Sequence, residues 1–258
     1  MNFLSPDPSS LLRPKEMVKA FSARKGLGSE DLRLEKLAMV TFTRLDLLKL
    51  IEHMGTARKI EVWGNRSNQI FRGKGWVAIH SPLGAPNVVM LLEEIVTFGV
   101  ERVIFLGYCG SLQEEVRVGD IVLPMEALRE EGTSYHYLEE GEKSLPDHSL
   151  QDLLANWMAD APFGLHRGPI WTTDAPYRET REKVIRYRRE GILGVEMEMS
   201  AAFAFGLVKG VSIGSVLLVS DELRETDWRH GFFTSDLKRA REKAIEVVSC
   251  HLQELSPR

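Results

Sequence analysis

Gly194-Val-Glu-Met-Glu-Met-Ser-Ala-Ala-Phe-Ala-Phe-Gly-Leu-Val-Lys-Gly210, continued by Val211-Ser-Ile-Gly-Ser-Val-Leu-Leu-Val-Ser-Asp221, decides the fold. The first part is apolar along most of its length and stops at a glycine. Its pattern predicts a helix over residues 196–208 that buries several faces. The second part holds a nearly unbroken apolar run over 211–219, as expected of a central strand covered on both faces. A helix feeding directly into such a strand is the working unit of an α/β sheet. Two carboxylates, Glu196 and Glu198, and the thioether of Met197 stand at the mouth of the helix, and Asp221 closes the strand. Acids in such apolar settings are paired or functional.

The alternation continues outward in both directions. Residues 45–54 have helical spacing, and 76–80 form a short β-rich run. Residues 86–98 read as a helix with Val89, Leu92, Ile95 and Val96 on one face, stopped by Gly99. A buried strand over 102–106 follows, after which Gly107 and Gly110 are expected to break the chain sharply. Residues 120–124 form a further strand ended by Pro124. Helices are expected over 148–158 and 178–189, a strand over 165–171, and an amphipathic closing helix over 235–255. These elements predict a three-layer α/β sandwich around a central mixed sheet, one domain over residues 31–258. Residues 1–30, rich in Pro, Ser, Gly and Lys, read as a loosely ordered N-terminal arm.

Bulk properties restrict the function. With 33 basic and 37 acidic residues the chain carries a formal charge of −4, which favours a small-molecule ligand over a nucleic acid. Cys109 and Cys250 are the only cysteines, too few for a disulfide framework or a Cys-rich zinc site, and they suit the reducing cytoplasm. The start, Met1-Asn-Phe-Leu-Ser-Pro6, lacks the pattern of a signal peptide. The apolar runs fall short of the roughly 20 residues of a membrane span.

The acids point to a particular chemistry. One ionised carboxylate accepts hydrogen bonds from both hydroxyls of a sugar diol, a task suited to Glu198. Met197 is apolar and polarizable enough to lie against a ribose face. Residues two apart do not share a helix face, so Glu196 and Glu198 either do different work or one of them caps the helix. Ligands of α/β sheets gather at the carboxyl ends of strands, where a partly buried Asp221 can donate a proton; its alternative is to cap a turn. The glycines after residues 102–106 let backbone N–H groups approach a base or an anion, or simply make a turn.

Five segments in order, Gly107-Tyr-Cys-Gly110-Ser-Leu-Gln113, Val118-Gly-Asp-Ile-Val122, Glu131-Gly-Thr-Ser134, Gly194-Val-Glu-Met-Glu198 and Val219-Ser-Asp221, resemble the nucleoside phosphorylase and nucleosidase superfamily. This group includes hexameric purine nucleoside phosphorylases and uridine phosphorylases. The resemblance implies that Met197 and Glu198 bind ribose and that Asp221 protonates a departing purine. Tyr177, Cys109 and Gly110 are candidates to line the base, the alternative for Cys109 being a buried structural thiol. The resemblance also implies a homo-oligomer with shared active sites, no metal or organic cofactor, and inorganic phosphate as co-substrate.

Departures from the family pattern concern phosphate. The Gly-Asp-Pro-x-Arg loop of phosphorylases is replaced by Met39-Val-Thr-Phe-Thr-Arg44. Phe105 and Tyr108 take the places of an Arg and a Ser or Thr. Arg44, Arg66 and Tyr108 remain as anion-site candidates. The stretch Thr172-Thr-Asp-Ala-Pro-Tyr-Arg-Glu-Thr180 lacks the Gln-x-Arg pair of uridine-type enzymes, which favours a purine-like base. Arg229, on the expected loop after Asp221, is placed to assist or neutralise that acid. The expected activity is phosphorolysis of a purine-like nucleoside to free base and ribose 1-phosphate. The alternatives are hydrolysis by water and nucleoside binding without turnover, and the joint presence of Glu198 and Asp221 argues against the last.

Overall fold

In the computed structural model the described residues are 3–5, 9–23, 26, 28, 32–55, 57–60 and 69–255. They form α1 (Pro14–Ala23), β1 (Leu37–Thr41), α2 (Arg44–Met54), β2 (Arg58–Ile60), β3 (Ile70–Arg72), β4 (Trp76–His80), α3 (Ala85–Thr97), β5 (Arg102–Ser111), β6 (Ile121–Glu130), α4 (His148–Met158), β7 (Leu165–Thr173), α5 (Arg181–Arg189), β8 (Gly194–Glu196), α6 (Met199–Lys209), β9 (Ser212–Leu223), β10 (Trp228–His230) and α7 (Ser235–Leu255). The sheet runs in the order β10-β9-β6-β7-β8-β5-β1-β4-β3-β2, and β9 also pairs with β5. Strands β5, β9, β6, β7 and β8 therefore close on themselves, while β1 to β4 extend one side as an open sheet. Pairing is mixed: β5 with β9 and β1 with β4 are parallel, and β5 with β8 and β9 with β10 are antiparallel.

Alternation along β5 divides the core. Val103, Phe105 and Cys109 join the layer with Val88 and Leu92 of α3 and Phe203 of α6. Ile104 and Leu106 join Leu47 and Leu50 of α2, Leu154 of α4, and Leu237 and Ala244 of α7 on the other face. The three-layer α/β sandwich with a central mixed sheet is what the alternating pattern predicts.

Several boundaries differ from the sequence expectation, each for a local reason. β5 continues through Gly107 and Gly110, because β9 pairs with it as far as Ser111, with a bulge that shifts the register between Cys109 and Gly110. A Cβ on Gly107 would lie 3.1 Å from both Phe42 and Leu217, so this glycine serves close packing and not a turn. Pro124 lies inside β6, and the register against β7 shifts between Pro124 and Glu126, a bulge that accommodates the missing N–H. The helix expected from residue 196 starts at Met199, since residues 194–196 pair with β5 and β7 as β8. The helix expected from residue 178 starts at Arg181, with the Thr180 hydroxyl accepting from the Lys183 N–H. Asp221 stands within β9 and does not end it. The N-terminal arm carries α1, which packs on α3 and buries Val18.

Candidate active site

Gly110 of β5 is opposite Asp221 on β9 and Val195 on β8. The register thus brings the two acid-bearing segments, remote in sequence, to either side of one residue. A Cβ at Gly110 would lie 2.9 Å from the Asp221 Oδ2 and 2.6 Å from Leu223, so the carboxylate rests on bare glycine backbone. Ser220 Oγ donates to Asp221 Oδ1 at 2.6 Å, and the Trp228 indole N–H donates to Oδ2 at 2.8 Å. The acid is half-buried and is held by these two neutral donors.

β10 folds back along β9 with Trp228 opposite Leu223, Arg229 opposite Glu222 and His230 opposite Asp221. Trp228 is the diagonal neighbour of Asp221 on the same sheet face, and Arg229 shares the other face with Glu222. Arg229 lies 3.7 Å from Glu222, which also pairs with Arg224 at 2.7 Å and accepts the Val118 N–H at 3.1 Å. The expectation that Arg229 assists or neutralises Asp221 is corrected: strand alternation turns it away, and the expected loop is an edge strand.

At the start of α6, Glu198 is buried and its Oε1 accepts the Gly84 N–H at 2.6 Å. Gly84 precedes α3 with φ of 97°, a conformation that suits glycine. Glu196 is buried as well. The Thr172 hydroxyl donates to its Oε1, while its Oε2 accepts the N–H groups of Glu198 at 2.7 Å and Met199 at 2.8 Å. Glu196 is therefore the capping acid, and Glu198 is left for another task. Burial raises the pKa of both carboxyls, and the neighbouring Glu198 charge raises Glu196 further. Met197 lies between them, half-exposed. Ser200 Oγ donates to buried Glu131 at 2.9 Å, and Glu131 accepts the Ser134 N–H at 3.0 Å, so the 131–134 segment anchors α6.

The remaining candidates scatter. Cys109 is buried, and burial with the charges of Asp221 and Glu196 pushes its thiol well up. Its Sγ would be 3.2 Å from a Cβ on Gly194, so the side chain packs between the acid segments as a buried structural thiol. Tyr177 is 101% exposed on the turn Pro176–Arg178 and lines no base pocket of this chain. Tyr108 donates to buried Asp46 at 2.8 Å, where the Thr43 hydroxyl also donates at 2.6 Å and Arg241 stands 3.7 Å away. Burial and the Asp46 charge raise this phenol, which is committed to that network and not to an anion. Phe105 is fully buried and stacked on Phe42, with ring centroids 5.9 Å apart. Arg44 is exposed at the first turn of α2, and Arg66 lies outside the described residues.

Three contributors escaped the sequence reading: the Gly84 N–H, the Trp228 donor and Glu179. Glu179 is half-buried, and burial together with the Asp221 charge pushes its pKa up to about 7. It lines a cleft of about 470 Å³ with Leu223, Arg224 and Trp228. Hydrophobic spacing carries no signal for it, because it follows an exposed turn. Among the described residues no group of His, Cys, Asp and Glu could hold a metal ion, and no helix is long and apolar enough to cross a membrane.

A closed mixed sheet that carries a capping buried Glu196, a second buried acid held by the Gly84 N–H and a hydrogen-bonded Asp221 beside Gly110 defines a carboxylate-based α/β site. The profile of the Phosphorylase superfamily matches residues 36–252, and the chain belongs to that family. A guanosine phosphorylase from Halorubrum lacusprofundi is 32% identical over 156 residues, 60% of this chain and 65% of the relative. The chain thus spans just under two thirds of that relative's length. A DeoD-type purine nucleoside phosphorylase from Bacillus cytotoxicus is 29% identical over 184 residues, covering 68% of this chain and 78% of the relative. The fold is similar to uridine phosphorylase from Vibrio fischeri, with TM-score 0.77 at 20% identity over 87% of this chain and 94% of the other. It is also similar to purine nucleoside phosphorylase from Toxoplasma gondii in complex with immucillin-H, with TM-score 0.78 at 19% identity over 89% and 94%.

Proposed function

We propose that this chain cleaves the N-glycosidic bond of a purine-like nucleoside by phosphorolysis, yielding free base and ribose 1-phosphate. The observation that carries the reading is that Gly110 of β5 has Asp221 of β9 on one side and Val195 of β8 on the other, directly before the Glu196–Met197–Glu198 segment. In this reading Glu198 accepts the ribose hydroxyls while Met197 lies against the sugar. Asp221 gives a proton to a ring nitrogen of the base, making it a better leaving group. The negative charges of Glu198 and of the incoming phosphate stabilise the oxocarbenium-like ribose. Two carboxyls and a phosphate nucleophile supply the chemistry, so we propose no metal or organic cofactor. The family and the names of the guanosine and purine nucleoside phosphorylase relatives support this reading.

A second reading, hydrolysis, is favoured by one observation: Phe105 and Tyr108, at positions where phosphorylases carry phosphate ligands, are engaged in a stack and in the Asp46 network. One experiment separates the two. Guanosine, inosine, adenosine and uridine are incubated with the protein, with and without phosphate. Ribose 1-phosphate formed from the purine nucleosides only when phosphate is present supports phosphorolysis. Free ribose formed at a phosphate-independent rate establishes hydrolysis instead. No base release from any of them sinks both.

The proposal extends to assembly and compartment. We propose a homo-oligomer with shared sites, in keeping with the family to which the chain belongs. Free Cys109 and Cys250 suit a reducing, cytoplasmic setting.

A further inference from the structure

We propose that Trp228 is a positioning residue for proton transfer: its indole N–H fixes the Asp221 carboxyl and stabilises the negative charge that appears there as the base departs. This rests on the reading of Asp221 as the proton donor. Trp228 opens β10, straight after a turn in which the Arg224 N–H donates to the Asp227 carbonyl at 2.9 Å. It stands opposite Leu223, so it shares a sheet face with Asp221 and reaches Oδ2 at 2.8 Å. The side chain is 57% exposed and lies beside the His230 and Phe232 rings, with centroids 5.7 and 6.0 Å away. Packing in the core does not fix this ring; the bond to Asp221 and the two neighbouring rings do.

The donors around Asp221 divide its two oxygens. An indole N–H only donates, which makes Oδ2 the acceptor oxygen and leaves the proton of the neutral acid on Oδ1. A hydroxyl both donates and accepts. Ser220 Oγ lies 2.6 Å from Oδ1 and 3.3 Å from the Cys109 carbonyl oxygen. It accepts the Oδ1 proton while its own hydrogen turns to Cys109, and it donates to Oδ1 once that proton has gone. As the C1′–N bond breaks, its electron pair goes to the base, a phosphate oxygen bonds C1′, and the Asp221 proton passes to a ring nitrogen. Asp221 is then a carboxylate. A hydrogen bond to a charged acceptor is about twice as strong as one to a neutral acceptor, so the indole holds Asp221 more tightly in the transition state than before it. Arg224 and Arg229, the next cations along the chain, stand at Glu222 instead, 2.7 and 3.7 Å away.

Two measurements test this. The first compares the wild type with Trp228→Phe, which keeps an aromatic ring beside His230 and Phe232 but has no N–H, on inosine and on 7-methylguanosine with phosphate. Inosine needs a proton on its departing base. The base of 7-methylguanosine already carries a positive charge and leaves without one. Trp228→Phe lowers kcat for inosine about tenfold, leaves KM within about twofold, and keeps kcat for 7-methylguanosine within about twofold. Equal losses on both substrates, or no loss on inosine, overturn the proposal. The second is the indole N–H resonance of ¹⁵N-labelled protein that Trp228→Phe removes. A hydrogen-bonded N–H resonates downfield, so this signal moves upfield in Asp221→Ala. A signal that Asp221→Ala leaves in place overturns the contact and the proposal with it. If the wild type releases no base from either nucleoside, the functional reading falls and the role in turnover falls with it. The resonance then still decides whether the indole holds the acid.

Discussion

At the residue scale, Asp221 is held by two neutral donors, and Glu198 is held by a backbone N–H at 2.6 Å. These settings separate their tasks. Glu198 is held by the Gly84 N–H and by hydrogen bonds with the Met197 backbone and the Glu196 side chain, which fix it beside the capping acid. Asp221 is half-buried at the rim, where a base can reach it. Asp221→Asn keeps the size of the side chain and removes the transferable proton. It should lower kcat for purine nucleosides by about 10²–10⁴-fold while shifting KM little. Steady-state kinetics checks this, and equal losses in binding and turnover would remove Asp221 from the donor role. The acids themselves were legible in the sequence because they interrupt apolar runs. Glu179 was not, since its proximity to Asp221 is created by the fold alone.

At the scale of elements, the start of α6 depends on a buried carboxylate. Glu196 satisfies the N–H groups of Glu198 and Met199, which would otherwise be orphaned at a helix start. Its capping role was one of two alternatives in the sequence; the pairing of residues 194–196 as β8 decides between them. Burial raises the Glu196 and Glu198 pKa values above the ordinary 4.5. Between that value and the raised ones the native state holds more protons than the unfolded chain, so stability falls as pH rises. Thermal unfolding between about pH 5 and about pH 8 should therefore show Tm decreasing with pH. Glu196→Gln should flatten the slope without abolishing it, because Glu179 contributes with the same sign. A Tm that climbs with pH across this range would contradict the raised pKa values of the two buried carboxyls.

At the scale of the molecule, the closed strands and the two helix layers leave β5 covered on both faces. Phe105, at a position where family members carry a phosphate ligand, is fully buried against Phe42. Phe105→Ala should cost about 3–5 kcal/mol, seen as a lower urea midpoint at unchanged m-value. A loss well under 1 kcal/mol would show that the stack is not part of the core. The sequence by itself determined the helix and strand alternation, the mixed α/β sandwich and the acid-bearing segments, because burial imposes periodicities that local composition records. Only the tertiary structure decided that β5 runs through its glycines, that Arg229 faces Glu222, that Tyr177 is bare and that Glu179 and Trp228 attend Asp221. The placements of Arg229 and Trp228 depend on strand register and on which face of β9 each neighbour takes, which a shift of one residue would reverse, and those of Tyr177 and Glu179 on the path of the turn after β7.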